Sequence, residues 1–393
     1  MKREISEAYI IDSIRTPLGK RNGSLKDVHP VDLLAGQLNA VVARNGIQPE
    51  AIEDVIIGCV SQIGEQGANV ARNAVLSAGF PESMPGTTVD RQCGSSLQSI
   101  QFAVQGIQSG FYDLVIAGGV ESMSRIPIGS NISPDKNPIT KSIGERYSLN
   151  GQWFSQAYGA QLIAKKYEFK REELDTFSLR SHQLAAKSRD HFRKEIIPVT
   201  VTGNLGSEAK VTELDFDEGV RPNTTLEKMM SLPPAFNGLD LITAGNSSQI
   251  TDGASVTLIA SERAVAKYGL RPLARFLSFS VVGVDPITML TGPIPATRKA
   301  LDRAGVTKEQ IDVFEVNEAF SPVPLAWLHE FDVPINKLNP HGGAIALGHP
   351  LGATGSRLVA TILNGLRSSG GKLGLIAICE GGGMANSAVL ELV

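Results

Sequence analysis

The chain has 393 residues, 42% of them hydrophobic and 20% charged, with a net charge of −3. That length supports two or three domains' worth of core, and the balanced charge with no basic run excludes nucleic acid as an implied partner. Cys59, Cys93 and Cys379 are the only cysteines, unpaired in number and spacing, which excludes a disulfide framework and a zinc site and fits a reducing, cytoplasmic setting.

Residues 1–7 lack the apolar segment of a signal peptide, and no run approaches the roughly 18 apolar residues of a membrane span. Ala8-Tyr9-Ile10-Ile11 reads as a buried strand, ended by the turn Arg15-Thr16-Pro17. A helix follows with Leu33, Leu34, Leu38, Val41 and Val42 on its inner face. Gly46 stops it, Pro49-Glu50-Ala51-Ile52 makes a short turn, and Val55-Ile56-Ile57-Gly58 is the next strand. Gly86-Thr87-Thr88-Val89-Asp90 is a short strand or turn leading into Arg91-Gln92-Cys93-Gly94-Ser95-Ser96. Behind it, Leu97, Ile100, Val104 and Ile107 recur on one helix face, so Cys93 sits where a turn becomes a helix N-terminus. Free N–H groups and the positive dipole end there favour a thiolate, the nucleophilic form. A lone cysteine is equally at home as a small core hydrophobe. The helix ends near Gly110, and Asp113-Leu114-Val115-Ile116-Ala117 follows as a strand closed by Gly118-Gly119. Strand and helix alternate, which predicts an α/β fold with helices packed on a mixed or parallel sheet.

The same order returns later in the chain. Arg44 matches Arg303, Gly46 matches Gly305, Glu50 matches Glu309 and Ile52 matches Ile311, each pair 259 positions apart (303 − 44, 305 − 46, 309 − 50, 311 − 52). That separation also carries Gly106 onto Gly365, and Cys93 onto Gly352 at a second helix start. The strand Leu373-Gly374-Leu375-Ile376-Ala377-Ile378-Cys379, closing at Gly381-Gly382-Gly383, echoes residues 114–119. An internal duplication follows, with two similar halves whose equivalent turns bring Cys93, Asn317, His349 and Cys379 toward one cleft. Residues 121–250 break the pattern. Pro127, Pro134, Pro138 and Gly151-Gln152-Trp153 look irregular, and residues 165–194 form a charged helical stretch with Leu174, Phe177, Ser181 and Leu184 on its inner side. This segment reads as an insertion placed to cover a site.

Three clusters could carry chemistry with Cys93. Val316-Asn317-Glu318-Ala319-Phe320 follows a strand, where polar residues also serve as loop caps. His349 stands between Gly348 and Pro350 in a run with glycine at 342, 343, 348, 352 and 355, a stiff setting that suits a general base. Cys379-Glu380-Gly381-Gly382-Gly383 puts a cysteine before unhindered N–H groups; without the lysine of a P-loop or a dinucleotide spacing, an oxyanion nest fits it best.

Together with Ala117-Gly118-Gly119-Val120-Glu121-Ser122-Met123-Ser124, Asn246-Ser247-Ser248, Asp252-Gly253-Ala254 and Gly348-His349-Pro350-Leu351-Gly352-Ala353-Thr354-Gly355, these motifs make essentially the whole chain resemble the thiolase family. The resemblance implies a duplicated five-layer α-β-α-β-α sandwich with an inserted loop domain. Its expected parts are an N-terminal half over residues 1–120 and about 250–270, the insertion over 121–250, and a C-terminal half over 271–393. It implies an acyltransferase that cleaves 3-ketoacyl-coenzyme A, or runs the reverse condensation, with coenzyme A as co-substrate, no permanently bound cofactor and no metal. By the same resemblance Cys93 is the acylated nucleophile, His349 its base, and Asn317 the residue that positions a water for the thioester oxygen. Cys379 moves the proton at C2, and the N–H groups of Cys93 and Gly381 hold the acyl-enzyme oxygen. Arg221 and Ser248 match coenzyme A contacts; Met289, Phe320 and Tyr158 match acyl-pocket positions. A homodimer or homotetramer is the implied assembly.

Two departures bear on the substrate. Ala157-Tyr158-Gly159 replaces the His-Met-Gly usual in acetoacetyl-specific members, and Ala385-Asn386 replaces a glycine-containing pair, resembling a subgroup that takes longer or bulkier acyl chains, steroid side chains among them. The alternatives are an acetoacetyl-coenzyme A-specific biosynthetic thiolase, a ketoacyl synthase-like condensing enzyme, which usually lacks the second cysteine, and a non-catalytic acyl-coenzyme A binder.

Overall fold

The structure, a computed structural model, describes residues 6–133, 138–149, 153–205 and 208–393. Residues 1–5, Pro134, Gly151 and Gln152 lie outside the described residues. Nine strands pair in the order Val313–Val316, Leu373–Glu380, Met384–Leu392, Ala274–Gly283, Ala8–Arg15, Thr251–Ser261, Leu114–Ser122, Asp54–Gly58 and Thr87–Val89. The short strand Gly19–Lys20 adds to Thr251–Ser261 off this path. The junction in the middle is thin: Ala8–Arg15 meets Ala274–Gly283 through Tyr9 with Arg275 and Ile10 with Ala274 alone. A five-stranded and a four-stranded sheet are thus joined edge to edge.

Alternate side chains of each strand enter different cores, as the two-residue period of a strand requires. Val55, Ile57, Leu114 and Ile116 pack outward on Leu34, Leu38 and Val41 of the helix Pro30–Arg44. Ile56, Val115 and Ala117 face inward onto Leu97 and Ile100 of the helix Ser95–Gln108 and Leu358 and Ile362 of Thr354–Ser369. Ile376 and Ile378 meet those two helices from the opposite side, while Leu375 and Ala377 turn out to Ile294 and Trp327. Helix, sheet, paired helices, sheet and helix make the expected five layers. Because both faces of the central strands are covered, their sequences read as unbroken apolar runs.

The repeat is visible element by element. Strand, helix and strand begin at Asp54, Ser95 and Leu114, and again at Val313, Thr354 and Leu373, each 259 residues on. One expectation is corrected. Gly118 and Gly119 do not close their strand, which runs to Ser122. They are glycines because a Cβ on Gly118 would lie 2.1 Å from the Ser255 carbonyl, and one on Gly119 would lie 1.9 Å from the Gly352 carbonyl.

The charged stretch is not one helix. Gln156–Lys166 and Arg171–Lys187 are separated by a bend with Glu168 at φ +58°, and the short Arg189–Phe192 follows. Leu174, Phe177 and Ser181 are buried as expected, whereas Leu184 is only half-buried. Polar contacts dock this segment on the second half: Arg180 donates to the carbonyls of Ile335 and Leu338 at 2.7 and 2.8 Å, and Ser181 donates to Glu318 at 2.6 Å. Among the described residues no helix is long and apolar enough to cross a membrane.

Two glycine substitutions test this packing. Gly119→Ala should destabilise the protein by about 3 kcal/mol or more, because rigid backbone stands in the way. Gly36→Ala, on an exposed helix face with nothing within 4 Å of the new methyl, should stabilise by about 0.5–1 kcal/mol. Urea unfolding midpoints of the two variants should therefore move in opposite directions.

Candidate active site

Cys93 sits one residue before Gly94, which caps the helix Ser95–Gln108. The turn that carries it is tightly specified. Gln92 adopts φ +47° and its N–H donates to Asp90 at 2.7 Å, while Ser95 Oγ receives the Arg91 N–H at 2.9 Å and donates to the Gln92 carbonyl at 2.5 Å. Asn386 Nδ2 holds the Gly94 carbonyl at 2.9 Å. The thiol itself is buried, 3% exposed.

His349 enters from the glycine-rich turn of the second half. Gly348 at φ +115° lies against Thr251, whose hydroxyl accepts the His349 N–H at 3.0 Å. Thr354 donates its hydroxyl proton to the Pro350 carbonyl at 2.9 Å, so its oxygen must accept from His349 Nδ1, 2.7 Å away. The proton therefore belongs on Nδ1, and the lone pair on Nε2 points toward Asn317 Nδ2 at 3.4 Å. Asn317 is fixed by its own N–H on the Ala377 carbonyl at 2.9 Å, and its buried Oδ1 has no partner. Thr354 was the member of this arrangement that sequence reasoning missed. Its signal was a hydroxyl five residues after the histidine, at the start of the helix.

Cys379 ends the apolar run of Leu373–Glu380, beside the nucleophile's turn, and Gly381 follows with its N–H bearing on the Cys93 sulfur. A Cβ on Gly381 would lie 2.8 Å from Gln92 Oε1, the end of a side chain on the nucleophile's turn, which places the two turns side by side. The charge states differ from the expectation that a helix start makes a thiolate. Burial, then the Glu380 carboxyl, push the Cys93 thiol up to about 12 against the pull of the Gly381 and Cys93 N–H groups. Burial and the two neighbours Cys93 and Glu380 also raise Cys379 well above the usual thiol range. Burial first, and the Arg357 guanidinium second, hold His349 down to about 3. Desolvation outweighs the helix dipole, and the resting thiol and the resting imidazole are both neutral. Cys59 is fully buried and also raised well above its ordinary value, as its apolar strand implied.

Two buried carboxylates hold the loops that present these groups. Glu121 accepts the N–H groups of Val60, Ser61 and Gly352 at 2.9, 3.0 and 2.9 Å and Gln66 Nε2 at 2.9 Å. Glu318 accepts Ser181, Asn339 and the Ile345 N–H at 2.6, 2.9 and 3.2 Å, pinning the insertion and the histidine turn to the strand end that carries Asn317.

Met289 and Phe320 pack with Cys379, Ala157 and Leu239 in one apolar cluster. Tyr158 does not join it: the ring is 47% exposed and, with Trp153, Phe154 and Phe236, borders a cavity of about 600 Å³ that also touches Leu239. Ser248 is half-buried, its N–H on the Ala319 carbonyl at 2.9 Å beside the acyl cluster. Arg221 is exposed and tethered through its N–H to the buried His182 Nδ1 at 3.2 Å. Among the described residues, no group of three or more His, Cys, Asp or Glu side chains could hold a metal ion.

Comparisons with known proteins identify the family and the fold. Residues 8–263 match the model of the thiolase N-terminal domain, and residues 270–392 that of the thiolase C-terminal domain. The steroid 3-ketoacyl-CoA thiolase FadA6 of Mycobacterium tuberculosis is 48% identical over 98% of this chain and 94% of its own length. A 3-oxoadipyl-CoA/3-oxo-5,6-dehydrosuberyl-CoA thiolase of Escherichia coli is 42% identical over 98% of this chain and 100% of its own. The crystal structure of the Bacillus anthracis acetyl-CoA acetyltransferase superposes with a TM-score of 0.90 at 36% identity, covering 100% of both chains.

The tautomer argument yields a test. Thr354→Val removes the acceptor for His349 Nδ1–H while keeping the side chain's shape, so kcat should fall by about tenfold to a hundredfold as the imidazole loses its fixed tautomer. KM should change little. A variant with wild-type kcat would show that another group sets the tautomer.

Proposed function

This chain belongs to the thiolase family, acyltransferases that cleave 3-ketoacyl-coenzyme A with coenzyme A, and on that footing we propose how its cleft divides the work. The Cys93 thiol attacks C3 of the substrate and its proton passes to His349 Nε2, the one free lone pair of the ring. The C3 oxygen gathers charge against the N–H groups of Cys93 and Gly381. As the C2–C3 bond breaks, the departing thioester enolate is held by His349 and by a water on Asn317, and Cys379 delivers a proton to C2. The coenzyme A thiol then gives its proton to the Cys379 thiolate and takes the acyl group, and the departing Cys93 sulfur regains its proton from His349, giving acetyl-coenzyme A and a shortened acyl-coenzyme A. The observation that carries this reading is a buried Cys93 thiol that the Gly381 N–H and a second buried thiol, Cys379, both face, together with an imidazole, His349, whose free nitrogen is fixed. Burial strengthens each of these electrostatic contacts relative to water.

The exposed Arg221 and the half-buried Ser248 are the proposed coenzyme A contacts, the guanidinium matching a phosphate. The proposed division of the chain is an N-terminal half over residues 1–120 and about 250–270, an insertion over 121–250, and a C-terminal half over 271–393. Coenzyme A acts as co-substrate with no permanently bound cofactor, in a cytoplasmic homodimer or homotetramer. For the acyl group we favour one larger than acetoacetyl. Tyr158 stands out of the acyl cluster formed by Met289 and Phe320, and the aromatic cavity it borders meets that cluster at Leu239.

Peptide mass analysis after incubation with acyl-coenzyme A should place the acyl group on Cys93, and label on Cys59 or Cys379 would sink the assignment. Cys379→Ser should still be acylated at Cys93 but lose exchange of the C2 protons of acetyl-coenzyme A with deuterium, a defect on the order of 10²–10⁴. Undiminished exchange would remove Cys379 from the proton path. Chain length gives a second measurement. Ten-carbon 3-ketoacyl-coenzyme A should be cleaved at least as well as the four-carbon substrate. A kcat/KM for the four-carbon substrate more than about tenfold higher, roughly 1.4 kcal/mol, would show that the pocket is closed.

A further inference from the structure

Glu121 and Glu380 stand 259 residues apart (380 − 121), and so do the two helix-start residues Cys93 and Gly352 (352 − 93). In the first half the carboxylate is fully used: Glu121 accepts four N–H donors, the Gly352 N–H among them at 2.9 Å. Its counterpart is treated differently. Glu380 is fully buried beside the nucleophile's turn, yet both of its oxygens lack a hydrogen-bond partner. A Cβ on Gly94 would lie 2.0 Å from Glu380 Oε1 and 2.6 Å from Asn386 Nδ2, so the two side chains converge on the residue after Cys93. Asn386 spends its amide on the Gly94 carbonyl, and its buried Oδ1 is also without a partner. Three buried acceptors therefore lack donors, and the Arg91 Nε, also buried without a partner, belongs to the residue whose charge faces Glu380.

We propose that Glu380 is a positioning residue for acyl transfer: an uncharged carboxyl that braces Gly94 and Asn386 and leaves the Cys93 N–H free, where Glu121 takes the Gly352 N–H for itself. A protonated carboxyl turns one of the three acceptors into a donor, with Asn386 Oδ1 as its natural target. The proposal rests on the reading of the Cys93 and Gly381 N–H groups as the oxyanion pocket. The charged and titratable groups facing Glu380 are Arg91 and Asp90 from the preceding turn, the Cys93 thiol, and Cys379 on its own strand; the neighbouring strand adds the uncharged Asn386. Burial pushes Glu380 well above the carboxylate range, Arg91 opposes that, and Asp90 adds to it. The carboxyl is thus neutral below its raised pKa and ionises as the pH rises. An anion there opposes a Cys93 thiolate and competes for the Cys93 N–H, so activity is lost as the pH rises through that ionisation.

The test is the pH dependence of kcat and KM for thiolysis in the full enzyme and in E380A and E380Q, with thermal melting of each and mass mapping of the acyl group. E380A should lose about tenfold to a hundredfold in kcat at unmoved KM. E380Q should recover most of that loss and lack one alkaline ionisation. Wild-type kcat in E380A, equal impairment of both variants, or an E380Q alkaline limb superimposed on that of the unsubstituted enzyme would each overturn the proposal. If E380A does not fold, the alkaline limb of E380Q decides alone. An acyl group absent from Cys93 in the unsubstituted enzyme would instead overturn the assignment of the nucleophile.

Discussion

At the centre of the molecule two helix N-termini meet backbone to backbone, and the catalytic groups hang from that contact. A Cβ on Gly58 would lie 2.5 Å from the Ser96 nitrogen, one on Gly352 would lie 2.6 Å from the Gly58 carbonyl, and one on Gly355 would lie 2.3 Å from the Leu97 nitrogen. Ser96 Oγ adds a hydrogen bond from the Ser356 N–H at 3.0 Å. Cys93 and His349 lie only a few residues ahead of these helices, so their separation is set by rigid main chain instead of by flexible side chains. Positioning of that quality is what converts a weak nucleophile into an effective one. Glu121 ties the same contact from outside, because Val60 and Ser61 continue the strand that ends in Gly58 while Gly352 begins the other turn.

Burial decides the chemistry as much as position does. A thiol pushed up to about 12 and an imidazole held down to about 3 do not exchange a proton at rest. The ion pair becomes favourable only when a substrate carbonyl accepts the sulfur's electrons and the N–H groups receive the charge. That order protects three cysteines in one chain from indiscriminate alkylation and oxidation, which follow thiolate character. It also explains why the Nδ1 proton must be fixed. With Thr354 occupying Nδ1, only Nε2 can accept the proton, and Asn317 stands beside it to share the later load on the thioester oxygen.

The sequence displayed the elements and the chemistry more readily than the forces between them. Apolar periodicity located the helix behind Cys93 and the buried strands, since each is covered on both faces and little else could satisfy them. The motifs displayed Cys93, Asn317, His349 and Cys379 for the same reason, as reactive side chains in unusual glycine settings. Gly118-Gly119 looked like a strand end because sequence shows a missing side chain but not the carbonyls from Ser255 and Gly352 that forbid one. The thiolate expectation failed similarly: a helix start is local and legible, whereas the desolvation that overrides it comes from distant layers. Glu121 and Glu318 stood inside recognised motifs without a role, because their partners arrive from up to 231 and 137 residues away.

Duplication explains why there is one site when the fold could have built two. Moving 259 residues from three of the proposed catalytic residues lands on packing positions, Cys93 on Gly352, Asn317 on Gly58 and Cys379 on Val120, while His349 lands on the exposed Asp90. Gly352 and Gly58 touch each other's backbone, and Val120 is wholly buried in the outer core. The second centre has thus been given over to close packing, with Glu121 consuming the N–H that a second oxyanion pocket would need. A cysteine at 352 or an asparagine at 58 would force apart the contact that positions Cys93 against His349. The positions that carry no chemistry, drawn from both halves, therefore set the distances between those that do.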